Sequence, residues 1–120
     1  MLYAIHAYEN IYQGLHGIES FEVIEADNKE EAESIAEEMS YEVMDDYEEI
    51  DNEFEADAQF NGYEEGTDEW CNFIEECRAS NLAWNIYPIT IETDKDVEEL
   101  TNEFHYDPES FINKYCDSEF

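Results

Sequence analysis

The feature that most constrains this chain is an acidic central segment, residues 27–69, that also carries apolar residues at helical spacing. The segment holds 19 of the 35 Asp and Glu residues in the 120-residue sequence. Its apolar residues recur every three or four positions, which at about 100° per residue places them on one stripe of a helix. The stripe consists of Ala32, Ile35, Ala36, Met39, Val43, Tyr47 and Ile50. The segment therefore predicts a long helix with a buried stripe and an acidic outer face.

The start of this helix is well marked, whereas its end is ambiguous. Asp27 as N-cap and Glu30 at the third helical position would form a capping box. Phe54 continues the stripe, but apolar residues also alternate through residues 54–60, as they would in a short acidic strand. We favour a helix that continues to about Ala58 over a strand in residues 51–60.

Aromatic and β-branched runs on both sides of the acidic segment predict three strands. Residues 2–8 and 18–26 are typical of a strand pair. Residues 82–91 form the third strand, and Pro88, which cannot donate a ladder hydrogen bond, favours an edge position or a strand end.

Three shorter helices complete the pattern. Thr67 or Asp68 caps one that ends near residue 80, Thr93 or Asp94 caps a second, and residues 107–108, Asp-Pro, open the last. The elements predict one α+β domain, residues 1–120. We expect a small, mainly antiparallel sheet of about three strands, covered by a long acidic helix and two to three shorter helices.

The charge balance excludes several function classes. The formal charge is −31, and only four residues are basic, so we expect no direct binding to nucleic acid or to an anionic membrane. No apolar run approaches the roughly 18 residues that span a bilayer. The first residues do not resemble a signal peptide, and the three cysteines are interpreted as ordinary thiols. These features predict a cytoplasmic protein.

No motif in the sequence indicates catalysis. His6, His16 and His105 are not paired in sequence, and neither a nucleophile elbow nor a phosphate-binding glycine loop occurs. His6 on a strand is interpreted as a packed or edge residue. We therefore expect neither an enzyme nor a cofactor.

Residues 57–68 have a degenerate similarity to a calcium-binding EF-hand loop. Gln59 is a poor third ligand, and Asp68 is too short to reproduce the bidentate glutamate that closes such a loop. We interpret the segment as an acidic loop with incidental glycines and expect no metal. The positions that match are Asp57, Gln59, Asn61, Gly62, Glu65 and Asp68.

The acidic face itself is the strongest functional signal. Residues 27–57 contain 15 acidic residues and a single basic one, so a helix there would carry one negative charge per roughly 3 Å of axis. One DNA strand carries a phosphate about every 3.4 Å. A basic protein surface would relieve the repulsion within such a face. The predicted partner-binding residues are Glu30, Glu37, Glu38, Tyr41, Asp45, Glu48, Glu49, Asp51, Glu55, Glu64 and Glu65.

In its size, charge and Tyr-, Glu- and Asp-rich composition, the chain resembles the phage-encoded DNA-mimic inhibitors of the anti-restriction and anti-CRISPR type. The resemblance implies a basic nucleic-acid-binding partner, such as a CRISPR effector nuclease or a restriction enzyme, in the cytoplasm of an infected bacterium. The inhibitor would block the partner's access to DNA or RNA. The alternative is an acidic adaptor or chaperone for another basic protein, and a homodimer is compatible with either hypothesis.

Overall fold

A computed structural model describes residues 1–10, 19–46 and 48–116, with only the backbone described for Glu48. It confirms the predicted α+β fold class. The elements are β1 (Leu2–Glu9), β2 (Ser20–Glu25), α1 (Lys29–Asp45), α2 (Glu48–Phe60), α3 (Asp68–Ser80), β3 (Leu82–Pro88), α4 (Val97–Tyr106) and α5 (Pro108–Tyr115). Tyr47, His16 and the start of the second predicted strand lie outside the described residues.

The three strands form an antiparallel sheet in the order β2-β1-β3. On the central strand, His6 lies opposite Phe21 of β2 and opposite Asn85 of β3. Strand β3 is an edge strand, as Pro88 predicted, but it ends at Pro88 and not at Ile91. A proline is tolerated at the end of an edge strand, and the next residue, Ile89, still donates its N–H to the Leu2 carbonyl at 3.0 Å.

Helices cover both faces of the sheet. Ile5 and Ala7 of β1 pack against Ala36 and Met39 of α1 on one face. The opposite face packs against α4 and α5 in a cluster that includes Ala4, Val23, Leu100, Phe104 and Phe111. The sheet is thus the middle of three layers, and α1 forms one outer layer with its polar side toward solvent.

Ser40 connects α1 to the sheet by hydrogen bonds, which hydrophobic periodicity does not predict. Its fully buried hydroxyl donates a hydrogen bond to the Tyr8 carbonyl at 2.6 Å and accepts one from the Ala83 N–H at 3.2 Å. The hydroxyl therefore links β1, β3 and α1. A buried hydroxyl is stable here because both of its hydrogen-bonding roles are satisfied.

The prediction of one continuous helix is wrong, because α1 ends at Asp45 and α2 begins at Glu48. The last turn of α1 contains no basic residue of its own, and the cation at this helix end is Arg78 of α3, which contacts Asp45. Beyond the break the apolar stripe has a new partner. Ile50 and Phe54 pack with Met44, with half-buried Ile74 of α3 and with Leu82 at the start of β3. Residues 51–60 are helical, and the strand alternative is wrong.

Two helix starts differ from the predicted ones. Asn28, and not Asp27, caps α1: its Oδ1 accepts the Glu31 N–H at 2.9 Å, while Glu31 Oε2 accepts the Asp27 N–H at 3.1 Å. The capping interactions therefore lie one residue later than predicted. Asp96, and not Thr93 or Asp94, caps α4. The predicted Thr67 cap and the start of the last helix at Asp107-Pro108 are confirmed.

A pair of substitutions on α1 tests this assignment of buried and exposed residues. Met39→Ala should lower the free energy of unfolding by about 2–5 kcal/mol, because it leaves a cavity between α1 and the sheet. Glu38→Gln, on the exposed side, should change it by less than about 0.5 kcal/mol. Urea unfolding of both variants measures the difference, and equal losses would contradict the assignment.

Candidate acidic interaction surface

The outer side of α1 carries five of the eleven predicted partner-binding residues, and we call it the α1 acidic face. It consists of exposed Glu30, Glu37, Glu38 and Asp45 with half-buried Tyr41. These five residues lie together because Ala32, Ala36, Met39 and Val43 occupy the side of α1 that packs inward. The structure therefore confirms that five of the predicted residues share one helix face.

Three further acidic residues of α1 were not among the predicted residues. Glu31, Glu33 and Glu42 are all exposed; Glu31 accepts the Asp27 N–H, and Glu33 and Glu42 flank the α1 acidic face. These glutamates lie outside the buried side of α1, which consists of Ala32, Ala36, Met39, Ser40, Val43 and Met44. A search for every acidic residue outside the stripe would have found all three.

The remaining predicted residues lie on α2 and on the loop after it. Glu49 is exposed, and Asp51 and Glu55 are half-buried beside α3. Glu48 is the first residue of α2. Glu64 and Glu65 are exposed on the loop that follows α2, and the 13 residues of that helix span about 20 Å. The eleven predicted residues are therefore spread along two helices and do not form one compact site.

Arg78 of α3 binds two of the predicted partner-binding carboxylates within the chain. Its Nη2 contacts the Asp45 carboxylate, and its Nε lies 3.3 Å from Asp51 Oδ1. The guanidinium group thereby joins the end of α1, the first turn of α2 and the last turn of α3. Asp45 and Asp51 consequently have a structural role at the break between α1 and α2.

Two lysines converge on a single carboxylate near α4 and α5. Glu103 accepts hydrogen bonds from Lys95 Nζ at 2.8 Å, from Lys114 Nζ at 3.2 Å and from the Tyr115 hydroxyl at 3.1 Å. The hydrogen bond from Lys95, together with those from Lys114 and Tyr115, lowers the pKa of Glu103 despite partial desolvation of the carboxyl group. This cluster ties α4, α5 and the segment before α4 together.

Three of the four basic residues are thus bound to carboxylates at junctions between elements. Lys29, at the start of α1, is exposed and forms no ion pair within the described ranges. No basic residue follows it on α1. The α1 acidic face beyond Lys29 therefore has no compensating basic side chain from its own helix.

The segment that resembled an EF-hand loop has a different structure. Asp57 and Gln59 lie within α2, which ends in a Schellman motif: the Gly62 N–H bonds to the Gln59 carbonyl, and the Tyr63 N–H bonds to the Ala58 carbonyl. Gly62 has φ +85°, which favours glycine. Within residues 1–10, 19–46 and 48–116, no three His, Cys, Asp or Glu residues are grouped to hold a metal ion.

His6 is packed against an aromatic ring, and the cysteines are not joined to one another. The His6 ring stacks on Phe21 at 4.5 Å, and burial lowers its pKa against the opposing effect of Glu19, whose Oε1 lies 3.7 Å from Nε2. This position agrees with the interpretation of His6 as a packed residue. None of Cys71, Cys77 and Cys116 forms a disulfide in the described part of the chain.

Comparison with known proteins gives no assignment of function. No protein-family model, curated protein or solved structure matches this chain. Among the residues that the structure describes, no helix combines the length and apolar character needed to cross a membrane. The charges and geometry of the chain itself are therefore the basis for inferring its function.

The ion pairs of Arg78 generate a stability prediction. Arg78→Met should lower the free energy of unfolding by about 1–2 kcal/mol, because it leaves Asp45 and Asp51 without their cation and the Arg78 side chain is only 24% exposed. Lys29→Met removes the same charge from an exposed position and should have little effect. Equal losses for the two variants in urea unfolding would show that net charge, and not the local ion pairs, matters.

The Glu103 cluster predicts a pH dependence. Because its folded pKa lies below the unfolded value near 4.5, Glu103 stabilises the fold fully above that value and loses the contribution as pH falls through the folded pKa. Glu103→Gln should therefore be less stable than the parent protein at neutral pH, and the difference should shrink toward zero in strong acid. Urea unfolding over a pH series measures it. Glu75→Gln, at an exposed position of α3, is the control and should not show this trend.

Proposed function

We propose that this protein is a nucleic-acid mimic that binds the basic DNA- or RNA-binding surface of a host defence nuclease and blocks its access to nucleic acid. The observation that carries the proposal is the α1 acidic face, whose Glu30, Glu37 and Glu38 form no ion pair among the described residues. Helix α1 contains seven acidic residues in 17 positions, and its only basic residue is Lys29 at the start. Lys95 and Lys114 bind Glu103, and Arg78 binds Asp45 at the end of α1.

The dimensions of the acidic helix support this function. At about 1.5 Å per residue, α1 is about 25 Å long and carries one carboxylate per about 3.6 Å of axis. Phosphates along one DNA strand are about 3.4 Å apart along the axis. The whole molecule measures 55 × 28 × 22 Å, so its long axis is equivalent to about 16 base-pair steps. A channel that accommodates a short duplex would meet charges at a similar spacing.

Electrostatic repulsion within α1 would favour such a partner. Glu33 and Glu37, and likewise Glu38 and Glu42, are separated by four residues, and each such like-charge pair costs a few tenths of a kcal/mol. A channel lined with Lys and Arg would remove this cost and would steer fast association at low salt. Tyr41, half-buried on the same face, would add apolar contact.

The test is competition between the protein and nucleic acid for one partner. The partner is first captured from a bacterial lysate and identified by mass spectrometry. Its binding to labelled DNA or RNA is then measured by fluorescence anisotropy as the acidic protein is added. We expect complete displacement that weakens steeply as salt rises. A ternary complex in which nucleic acid stays bound would overturn the proposal and would favour the adaptor alternative.

Matched variants separate the α1 acidic face from net charge. Replacing Glu30, Glu33, Glu37 and Glu38 with Gln should raise at least tenfold the protein concentration needed to displace nucleic acid from the partner. These four exposed carboxylates all lie on α1. The control replaces exposed Glu22, Glu25, Glu92 and Glu109 with Gln and changes the net charge equally. Asp45 is left intact because it binds Arg78. Equal losses of displacing activity in the two variants would show that net charge, and not the α1 acidic face, determines binding to the partner.

A further inference from the structure

A groove at the far end of α2 combines aromatic rings with carboxylates. Tyr63, on the loop after α2, and Phe73 of α3 have ring centroids 5.2 Å apart, with their planes inclined at 39°. Together with Glu69, Asn72 and Glu76 of α3, they line a groove of about 380 Å³. Both aromatic side chains are half-buried, while the two glutamates are exposed. The groove therefore presents π-faces beside negative charge.

The backbone around this groove is held in place at both ends of the loop. The Schellman motif that ends α2 fixes Tyr63, whose N–H is 3.1 Å from the Ala58 carbonyl oxygen. Thr67 then starts α3, since its hydroxyl oxygen accepts the Trp70 N–H at 3.2 Å and donates to the Glu64 carbonyl at 2.7 Å. A groove with a fixed backbone loses little conformational entropy when it binds a side chain.

Nearby Phe60 is an aromatic residue left almost entirely in solvent. Its relative accessibility is 91%, and it is the last residue of α2, three positions before Tyr63. Exposed aromatic side chains of this kind are typical anchors of protein interfaces. The end of α2 therefore offers exposed apolar surface three residues before Tyr63.

The groove has the chemistry that recognises a guanidinium group. Arginine stacks its planar group on aromatic rings and donates paired hydrogen bonds to carboxylates, whereas the lysine ammonium is a compact and more strongly hydrated charge. The chain's own arginine does not line this groove, since Arg78 is bound to Asp45 and Asp51. A guanidinium group in the groove would therefore come from another molecule.

We propose that the groove between Tyr63 and Phe73 binds an arginine side chain of the basic partner protein. This inference rests on the proposed function for the existence of such a partner and adds a second contact point. The groove follows α2, whose 13 residues span about 20 Å beyond the break after α1. Binding at both the α1 acidic face and the groove would fix the position of the partner along the molecule. Distributed charge alone would let the partner bind in several positions.

Arginine selectivity is tested directly with model peptides. Fluorescein-labelled nona-arginine and nona-lysine peptides have equal charge, so a difference in their affinities for the full chain, measured by anisotropy, reports guanidinium recognition. We expect the arginine peptide to bind about fivefold more tightly, in the range of a cation–π contact with hydrogen bonds. Tyr63→Leu, which keeps an apolar side chain, should remove that preference. Equal affinities of the parent protein for both peptides would overturn the inference.

Two further variants make the test independent of net charge and of folding. Tyr106→Leu alters an aromatic residue that is 91% exposed on α4, and it should leave the preference intact. Glu76→Gln should reduce the preference, whereas Glu109→Gln, an equal charge change on α5, should not. Thermal melts of each variant verify folding. If Tyr63→Leu and Tyr106→Leu change selectivity alike, the groove is not the site.

The peptide assay is separate from the proposed function. A loss of arginine preference in Tyr63→Leu, combined with nucleic acid that stays bound to the captured partner, would support the groove and overturn the mimic. Complete displacement of nucleic acid with equal affinities for the two peptides would support the mimic and overturn the groove. The peptide assay therefore decides the groove, and the displacement assay decides the mimic.

Discussion

The scarcity of positive charge is the constraint on which the rest of this structure depends. With four basic residues for 35 acidic ones, ion pairs cannot neutralise the surface. The fold uses the few that it has where several elements meet: Arg78 joins three helices, and Lys95 and Lys114 meet at Glu103. Cations at such junctions offset repulsion where chain segments are closest, which is where it would oppose folding most.

Burial of apolar side chains and helix capping carry the remaining stability. The sheet is packed on both faces, with α1 on one side and α4 and α5 on the other. Polar caps also place carboxylates where they stabilise: Asp96 and Asp107 accept N–H groups at the starts of α4 and α5, and Glu31 and Glu99 lie in first turns. Part of the acidity is therefore used in forming helices, whereas Glu37 and Glu38 on the outer side of α1 lie beyond its first turn.

Periodicity in the sequence identifies helix faces well because burial on one side leaves a local signal. It correctly places Met39 inside and Glu38 outside. The break after Asp45 is not predictable in the same way, because the stripe continues through Ile50 and Phe54 while its packing partners change from the middle of the sheet to α3 and the start of β3. Arg78 was equally inaccessible to sequence reasoning, since its carboxylate partners are more than 25 positions away and become neighbours only through tertiary packing.

In the proposed role, the repulsion that opposes folding and the affinity for a basic partner would have one origin. A ligand that binds only the folded state stabilises it by mass action, and relief of repulsion on α1 would add to the binding free energy. A disordered polyanion would offer the same charge but would lose conformational entropy on binding. In this fold, the Ser40 hydrogen bonds and the packing of Met39 against Ile5 hold α1 against the sheet. The carboxylates of α1 are therefore on an ordered helix before a partner binds. Rigidity would therefore supply the selectivity that uniform negative charge lacks.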